Sequence, residues 1–402
     1  MSKYGRLPLN NTHHPGWLII VWLMSAGVCA GDLELTNPRL QIHGFITQAY
    51  VKTTDNQFFG DSEDGSFDFR ELGVNASYRF SPKLLASAQL LSRDAGEMYD
   101  GALTVDYAQI DYQFQMSEQN RTGLIAGRYK NPFGLYNETR DVAATRPGIF
   151  MPQAIYWDRV RNMVLSNDGL QLYTERTGDM HRFNLQLILG KTPIDENVEK
   201  TYIDPMLNAS LEQDGFTYGG RLLYEWDGGR IRLALSNAIL KLDAKTQLLP
   251  PGRVDLDYWV LSAQYNDGPW RLTAEYMEEP LDYRGFGGLL DAADTTVNGY
   301  YLQGDYRLRE DWEITLRYEE SHYDKDHPDG TENSRMTGLP SRFFYSKLWT
   351  LGLLWEPTEQ LMVRTEFSRI NGTIFLSNLE NPQPNATAKD WNLFSLLVSY
   401  SF

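Results

Sequence analysis

The most constraining feature of this chain is a two-residue rhythm that returns along almost its whole length. Between Trp391 and Phe402, the residues Phe394, Leu396, Val398, Tyr400 and Phe402 alternate with Ser395, Leu397, Ser399 and Ser401. In an extended strand that period puts the apolar set on one face and the mostly hydroxyl set on the other. The rhythm recurs about sixteen times, and no other part of the sequence remains to cover so many apolar faces. Lipid is then the solvent for that side. After residue 30 no run approaches the ~18 apolar residues of a membrane helix, which leaves one class of spanning structure, a closed all-β transmembrane antiparallel β-barrel.

Composition agrees with such a barrel. Aromatics make up 13% of 402 residues, tyrosine alone numbers 24, and charged residues are 22%. The mean hydropathy of -0.45 suits strands whose apolar signal is diluted by a polar inner face. The one continuous apolar run, Trp17 to Ala30, follows Lys3 and Arg6 and ends Val28-Cys29-Ala30 before Gly31-Asp32, the pattern of a secretory leader. Residues 1–30 are read as a signal peptide and 31–402 as the barrel. A lipidated Cys29 is the weaker alternative, because Val28 is bulky for such a site. Cleavage after Ala30 removes the single cysteine, and with it disulfides, thiolate metal sites and cysteine nucleophiles. It also removes two cations and no acid, taking the formal charge from -16 to -18, so nucleic acid is excluded as a partner.

Turn residues divide the barrel region into a meander of alternating short and long connections. The short ones are Ser81-Pro82-Lys83, Ser117 to Asn120, Thr177-Gly178-Asp179, Asp227-Gly228-Gly229, Asn266 to Pro269, Arg309-Glu310-Asp311 and Pro357-Thr358-Glu359. The long ones fall near 52–66, 92–102, 130–167, 191–214, 243–253, 279–296, 323–344 and 371–389. Seven short and eight long connections predict 16 strands with both ends on the short-turn side.

Beside the short turns one face carries Tyr78, Phe80, Tyr112, Phe114, Tyr224, Trp226, Tyr265, Trp270, Tyr306, Trp312, Trp355, Tyr400 and Phe402. Rings aligned at one height predict an interfacial girdle. The opposite parity carries Arg182, Arg221, Arg232, Arg271, Arg317 and Arg364 among Glu225, Glu275, Glu313, Glu319 and Glu366. So many ions are costly in a dry core and cheap in a wet lumen, so these arginines are assigned to the lumen wall. Phe67 and Phe69 stand out of step with Leu72, Val74 and Ala76, which predicts a bulge near Arg70 and Glu71. The facing of the fifth strand, Thr122 to Tyr129, and of Arg128 within it, stays open.

With these features the chain resembles the sixteen-stranded outer-membrane porins of Gram-negative bacteria over nearly all its mature length. Gly127-Arg128-Tyr129-Lys130-Asn131-Pro132-Phe133-Gly134 is similar to a strand end and loop opening of the phosphate-selective porins and their uncharacterised relatives. Val398, Tyr400 and Phe402 resemble the C-terminal signal read by the barrel-assembly machinery of that compartment. The resemblance implies export through the periplasm to the outer membrane, contact with its lipid and lipopolysaccharide, a homotrimer, and a third long loop folded into the lumen. It also implies a water-filled channel for passive diffusion of small hydrophilic solutes and ions, without a cofactor.

The third long connection holds Arg140, Arg146, Arg159 and Arg161 with Lys130, against Glu138, Asp141 and Asp158. These loop residues are assigned to the pore constriction, where guanidinium groups in a narrow neck favour anions weakly. The same arginines are equally suited to brace the loop through fork-shaped contacts with carboxylates. Phosphate selectivity rests on dense lysine and arginine, and this loop has a single lysine. Pro147 to Trp157 is apolar enough to seat the loop inside the barrel. The acidic stretch 191–214, with Asp195, Glu196, Glu199, Asp204, Glu212 and Asp214, has no calcium-loop spacing, and no metal is predicted. The alternative function is an outer-membrane lipase or protease. It lacks a Gly-x-Ser-x-Gly elbow, and His43, His181, His322 and His327 are scattered, so no enzyme is predicted.

Overall fold

The computed structural model describes residues 37–203, 207, 209–288 and 295–402. The leader assigned to residues 1–30, and Asp204, lie outside the described residues. Among the described residues 16 strands form one closed antiparallel barrel in which each strand pairs with its neighbours in sequence. They are β1 (Leu40–Thr53), β2 (Ser66–Ser81), β3 (Leu84–Ala95), β4 (Asp100–Met116), β5 (Asn120–Lys130), β6 (Ser166–Thr177), β7 (His181–Lys191) and β8 (Ser210–Trp226). The second half comprises β9 (Ile231–Lys245), β10 (Gly252–Asp267), β11 (Trp270–Arg284), β12 (Thr295–Arg309), β13 (Trp312–His322), β14 (Tyr345–Trp355), β15 (Leu361–Gly372) and β16 (Asp390–Ser401). The ring closes between β1 and β16, where Gly44 and Phe402 exchange two backbone hydrogen bonds of 3.0 Å. Among the described residues three short α-helices sit in long connections: α1 (Arg161–Leu165), α2 (Glu196–Tyr202) and α3 (Thr331–Thr337). No helix among the described residues is long and apolar enough to cross a membrane.

The predicted connections match this order closely. The second long one is shorter than expected, because β3 continues to Ala95 and β4 begins at Asp100. The sixth begins later, since β11 runs on to Arg284.

Burial is inverted relative to a soluble sheet. Leu272, Leu302, Leu316, Leu351 and Phe367 are exposed, whereas Thr273, Glu275, Gln303, Arg317 and Glu366 are buried. The aromatic girdle lies on the exposed side: Trp270 and Tyr306 approach to 4.5 Å, Trp312 and Trp355 stack at 5.6 Å, and Tyr78 meets Phe80 at 4.7 Å. Near the long connections a second set of outward rings, Trp259, Tyr276, Tyr300, Tyr318 and Trp349, marks the opposite interface.

Strands of up to 17 residues exceed the ~9–11 needed to span a bilayer, and their outer ends change character. In β9 the lower part turns Leu233 and Leu235 outward and Ser236 inward. Above Asn237 the faces exchange roles: Ala238, Leu240, Leu242 and Ala244 are buried, and Lys241, Asp243 and Lys245 are exposed. In β10 the buried Val254 and Leu256 alternate with Arg253 and Asp255, which repeats the exchange. Past the outer girdle the wall is therefore an ordinary amphipathic sheet in water, with its apolar face inside.

The irregularity near the start of β2 lies earlier than predicted. Ala49 pairs with Phe69 and Val51 with Ser66, which places the extra residue at Phe67–Asp68 instead of at Arg70 and Glu71. The displacement has a physical cause: Phe69 does not face lipid but is 1% exposed on the inner side, in step with Glu71. Gln48 repairs the bulge, its Nε2 donating to the carbonyls of Phe67 at 2.7 Å and of Ala49 and Phe69 at 3.0 Å. The open facing of β5 is resolved as well. Arg128 points outward and grips Asp168 with both Nε and Nη2, at 2.7 and 2.8 Å.

Candidate functional site

The connection between β5 and β6, residues 131–165, is closed at its base by two asparagines. Asn131 N donates to Leu165 O at 2.8 Å, and the carboxamides of Asn131 and Asn137 both donate to Val164 O at 3.0 Å. Between these ends the loop bonds to walls on both sides of the ring. It reaches β2 and β3 through Glu71 and Arg93, and β11, β13 and β15 through Glu275, Glu319 and Glu366. Each of those wall residues stands on the inward parity of its strand.

Two chains of ion pairs hold it. In the first, Asp141 takes both Lys130 and Arg161, and Lys130 also meets Asp106 at 2.8 Å. Asp106 turns inward because Gln89 pairs with Tyr107 and Leu90 with Val105, leaving it as the extra residue of a bulge. In the second, Glu71 takes Arg146 and, at 3.2 Å, Arg93; Arg93 reaches Asp158 at 3.1 Å, and Asp158 takes Arg140 at 3.3 Å. Burial pushes the Asp158 carboxyl up, but Arg93, Arg140 and Arg161 together outweigh it and hold the group below the usual carboxylate range. Arg159 differs. It is buried, among the described residues bonds only the carbonyls of Ile374 and Lys200 at 3.4 Å, and lies over the Trp157 ring at 5.1 Å. Burial without a carboxylate lowers its pKa to about 10.

The four loop arginines assigned to a neck are thus at most 7% exposed, and three of them are committed to carboxylates. Glu138 is the most open of the assigned acids and takes Arg221 at 2.6 Å. The arginines assigned to the wall all lie on inward parities. Arg182 and Arg232 share Glu225, Arg271 bridges Asp305 and Glu313, Arg317 pairs with Glu319, and Arg364 donates to Arg146 O at 3.0 Å. Arg221 also donates to Gly134 O at 2.9 Å, tying the wall to the loop. Sequence reasoning missed Glu71, Arg93, Asp106 and Glu275 as loop anchors. The inward parity of Glu71, Arg93 and Glu275 was a readable signal, whereas Asp106 faces inward only through its bulge, and all their partners lie far along the chain.

Apolar contacts finish the seating. Phe150 sits within 5.2 Å of the rings of Phe58, Phe59 and Phe69. Tyr156 accepts from the amides of Leu135 and Tyr136 and donates to Glu275 at 2.8 Å, and burial to 1% exposure closes its ring to stacking with a solute. Trp157 packs against both apolar clusters of the interior. Below the loop, along β3 to β7, the inner wall borders an open cavity of 420 Å³.

The four histidines remain apart: His181 bonds Tyr224, His322 lies beside Glu320, His327 bonds Asp324, and His43 stands on β1. Among the described residues no three His, Cys, Asp or Glu side chains gather as metal ligands. In the connection between β7 and β8, Asp195 caps α2 by accepting from Val198 N at 3.0 Å, and Glu199 accepts from Leu211 N at 2.9 Å.

Solved structures share the architecture at low identity. The DcaP outer-membrane channel of Acinetobacter baumannii is 12% identical, with 90% of this chain and 97% of that one covered at a TM-score of 0.59. An anion-selective porin from Comamonas acidovorans is 14% identical, with 90% and 99% covered at 0.55. The trimer form of OmpT from Vibrio cholerae is 12% identical, with 90% and 99% covered at 0.54. No protein of curated function matches the sequence. The family model described as "Phosphate-selective porin O and P" matches residues 47–371. With most of the barrel inside that match, the chain belongs to the phosphate-selective porin O and P family and is an outer-membrane porin.

Proposed function

We propose that this porin passes small hydrophilic solutes and ions by passive diffusion, through a lumen narrowed by the loop between β5 and β6. The observation that carries the reading is the inverted barrel, lipid-compatible outside and polar inside, crossed by one loop that is anchored to opposite walls. Purified protein in planar bilayers should give stepwise conductance in KCl, and preparations that never exceed background would remove the reading.

The proposed ion preference is weak and anionic. Three neck arginines are balanced by carboxylates, so the bias rests on Arg159, whose uncompensated charge in a low-dielectric setting attracts anions. Reversal potentials under a KCl gradient should shift towards cations in Arg159→Gln and stay within error in Arg140→Gln. Equal ratios in Arg159→Gln and wild type would leave the preference without a source.

A homotrimer is proposed by analogy with the OmpT trimer form, with a mass three times the protomer expected from light scattering in detergent. Residues 1–30 act in this proposal as a cleaved leader, and Val398, Tyr400 and Phe402 as the signal to the assembly machinery. The surrounding lipid includes lipopolysaccharide. No enzymatic activity is proposed, because among the described residues the four histidines stand apart from one another.

A further inference from the structure

The inner wall from β3 to β7 differs chemically from the neck above it. Five carboxamides, Gln109, Gln113, Gln171, Asn184 and Gln186, line its cavity. Two of them are committed: Gln113 donates to Asp111 at 3.3 Å, and Gln186 donates to Glu138 at 3.1 Å while accepting from Arg221 at 2.7 Å. The side-chain amides of Gln109 and Gln171 have no hydrogen-bond partner among the described residues, and Asn184 Oδ1 has none either. Asn184 Oδ1 is itself enclosed, so two unspent amides, those of Gln109 and Gln171, border one open space.

The charged groups of the same wall are largely spoken for. Asp111 accepts Tyr173 OH at 2.8 Å, Glu175 takes Arg182 at 2.7 Å, Glu138 takes Arg221, and Lys130 lies between Asp106 and Asp141. Arg121 lines the cavity without an ion pair among the described residues, but three carboxylates against two cations leave no positive excess to hold an anion. A carboxamide presents a donor and an acceptor side by side, which matches neighbouring hydroxyls that can each give and receive. The volume of 420 Å³ falls within the ~300–1,000 Å³ range of small-molecule sites.

We infer that this cavity binds a neutral polyhydroxylated solute of the saccharide class in transit, through the free carboxamides of Gln109 and Gln171. Exchange of water for amide keeps such binding shallow, as a conducting path requires. The inference deepens the channel reading and rests on it.

The test uses single channels in KCl with glucose and maltose as neutral probes and inorganic phosphate as the anionic one. Sugar in the millimolar range should interrupt the ion current of wild type in a saturable way, with phosphate weaker. Gln109→Leu/Gln171→Leu should weaken the sugar constant at least ~10-fold, the scale on which ~1.4 kcal/mol is read. Gln171→Met, a smaller change, serves if the double variant fails to assemble into a heat-modifiable barrel, and should weaken it in the same direction. Equal sugar constants in variants and wild type, or tighter block by phosphate than by sugar, overturn the inference while the channel stands. Absence of KCl steps in wild type overturns both.

Discussion

Two stretches of the same inner wall solve opposite problems. Along the outer ends of β8 to β12 the interior is apolar: Leu240, Leu242, Val254, Leu256, Leu281 and Tyr283 pack against loop residues such as Met151, Ile155 and Val160. Along β3 to β7 it is hydrogen-bonding and open, with Gln109, Gln171 and Asn184 facing a cavity. Both stretches alternate in the same period, but only the first has a covering layer. An inward face takes its polarity from what meets it, loop or water, and the lumen is therefore lopsided, sealed along one side and wet along the other.

The largest effect expected from disturbing this division comes from the ion chain that fixes the loop. Glu71→Ala leaves Arg146 and Arg93 buried without their shared carboxylate, and one broken buried pair costs about 3–5 kcal/mol. Urea unfolding in lipid vesicles should show that loss, accompanied by larger and noisier channel openings as the loop loosens. Unchanged stability would mean the chain is solvated and the loop is held otherwise.

The comparison is sharpened by cutting each wall separately. Leu242→Ala in the sealed stretch should cost about 2–5 kcal/mol, the range for an emptied core position. Gln109→Ala in the open stretch should fall within about 0.5 kcal/mol of wild type. Equal losses would erase the distinction between a packed wall and a wet one.

A smaller, pH-dependent effect belongs to the outer rim. Glu380, in the connection between β15 and β16, accepts the amides of Phe59 at 3.2 Å, Gly60 at 2.8 Å and Glu97 at 3.3 Å. Burial, aided by the neighbouring Glu97 charge, raises its pKa from 4.5 to about 6 despite those donors. The folded rim therefore holds a proton that a free carboxyl has already lost. That contribution is complete below the ordinary value and disappears as pH rises through about 6, with a size of at most ~2 kcal/mol. Hydrogen exchange at the Gly60 and Glu97 amides, corrected for intrinsic rates, should show more protection at pH 5 than at pH 7. Glu380→Gln should flatten the difference, and the same slope in that variant would assign it to another group.

Strand number, order and the inner girdle were legible because turn residues and alternation are local signals. Asp227-Gly228-Gly229 reads as a turn wherever it occurs, and here it joins β8 to β9. The bulge in β2 was misplaced because Phe69 looks lipid-facing by chemistry and becomes internal only through the Phe150 ring of a distant loop. The facing of β5 stayed open because Gly127, at φ +119°, departs from a flat strand near its end. The loop arginines were legible as a cluster, but not their partners: Arg146 meets Glu71 across 75 positions of sequence. Inversion at the outer ends of β9 and β10 was hidden for a similar reason, since apolar alternation does not say which side is dry.

Gln48 shares its outward parity with Ile42 and Ile46, yet its amide stitches three carbonyls at the β1–β2 irregularity. Hydrocarbon offers no substitute donor. Here, then, is a membrane-side position at which a greasier residue is the harmful one: leucine at 48 would strip the stitch from the irregular stretch of the ladder, where lipid supplies no replacement.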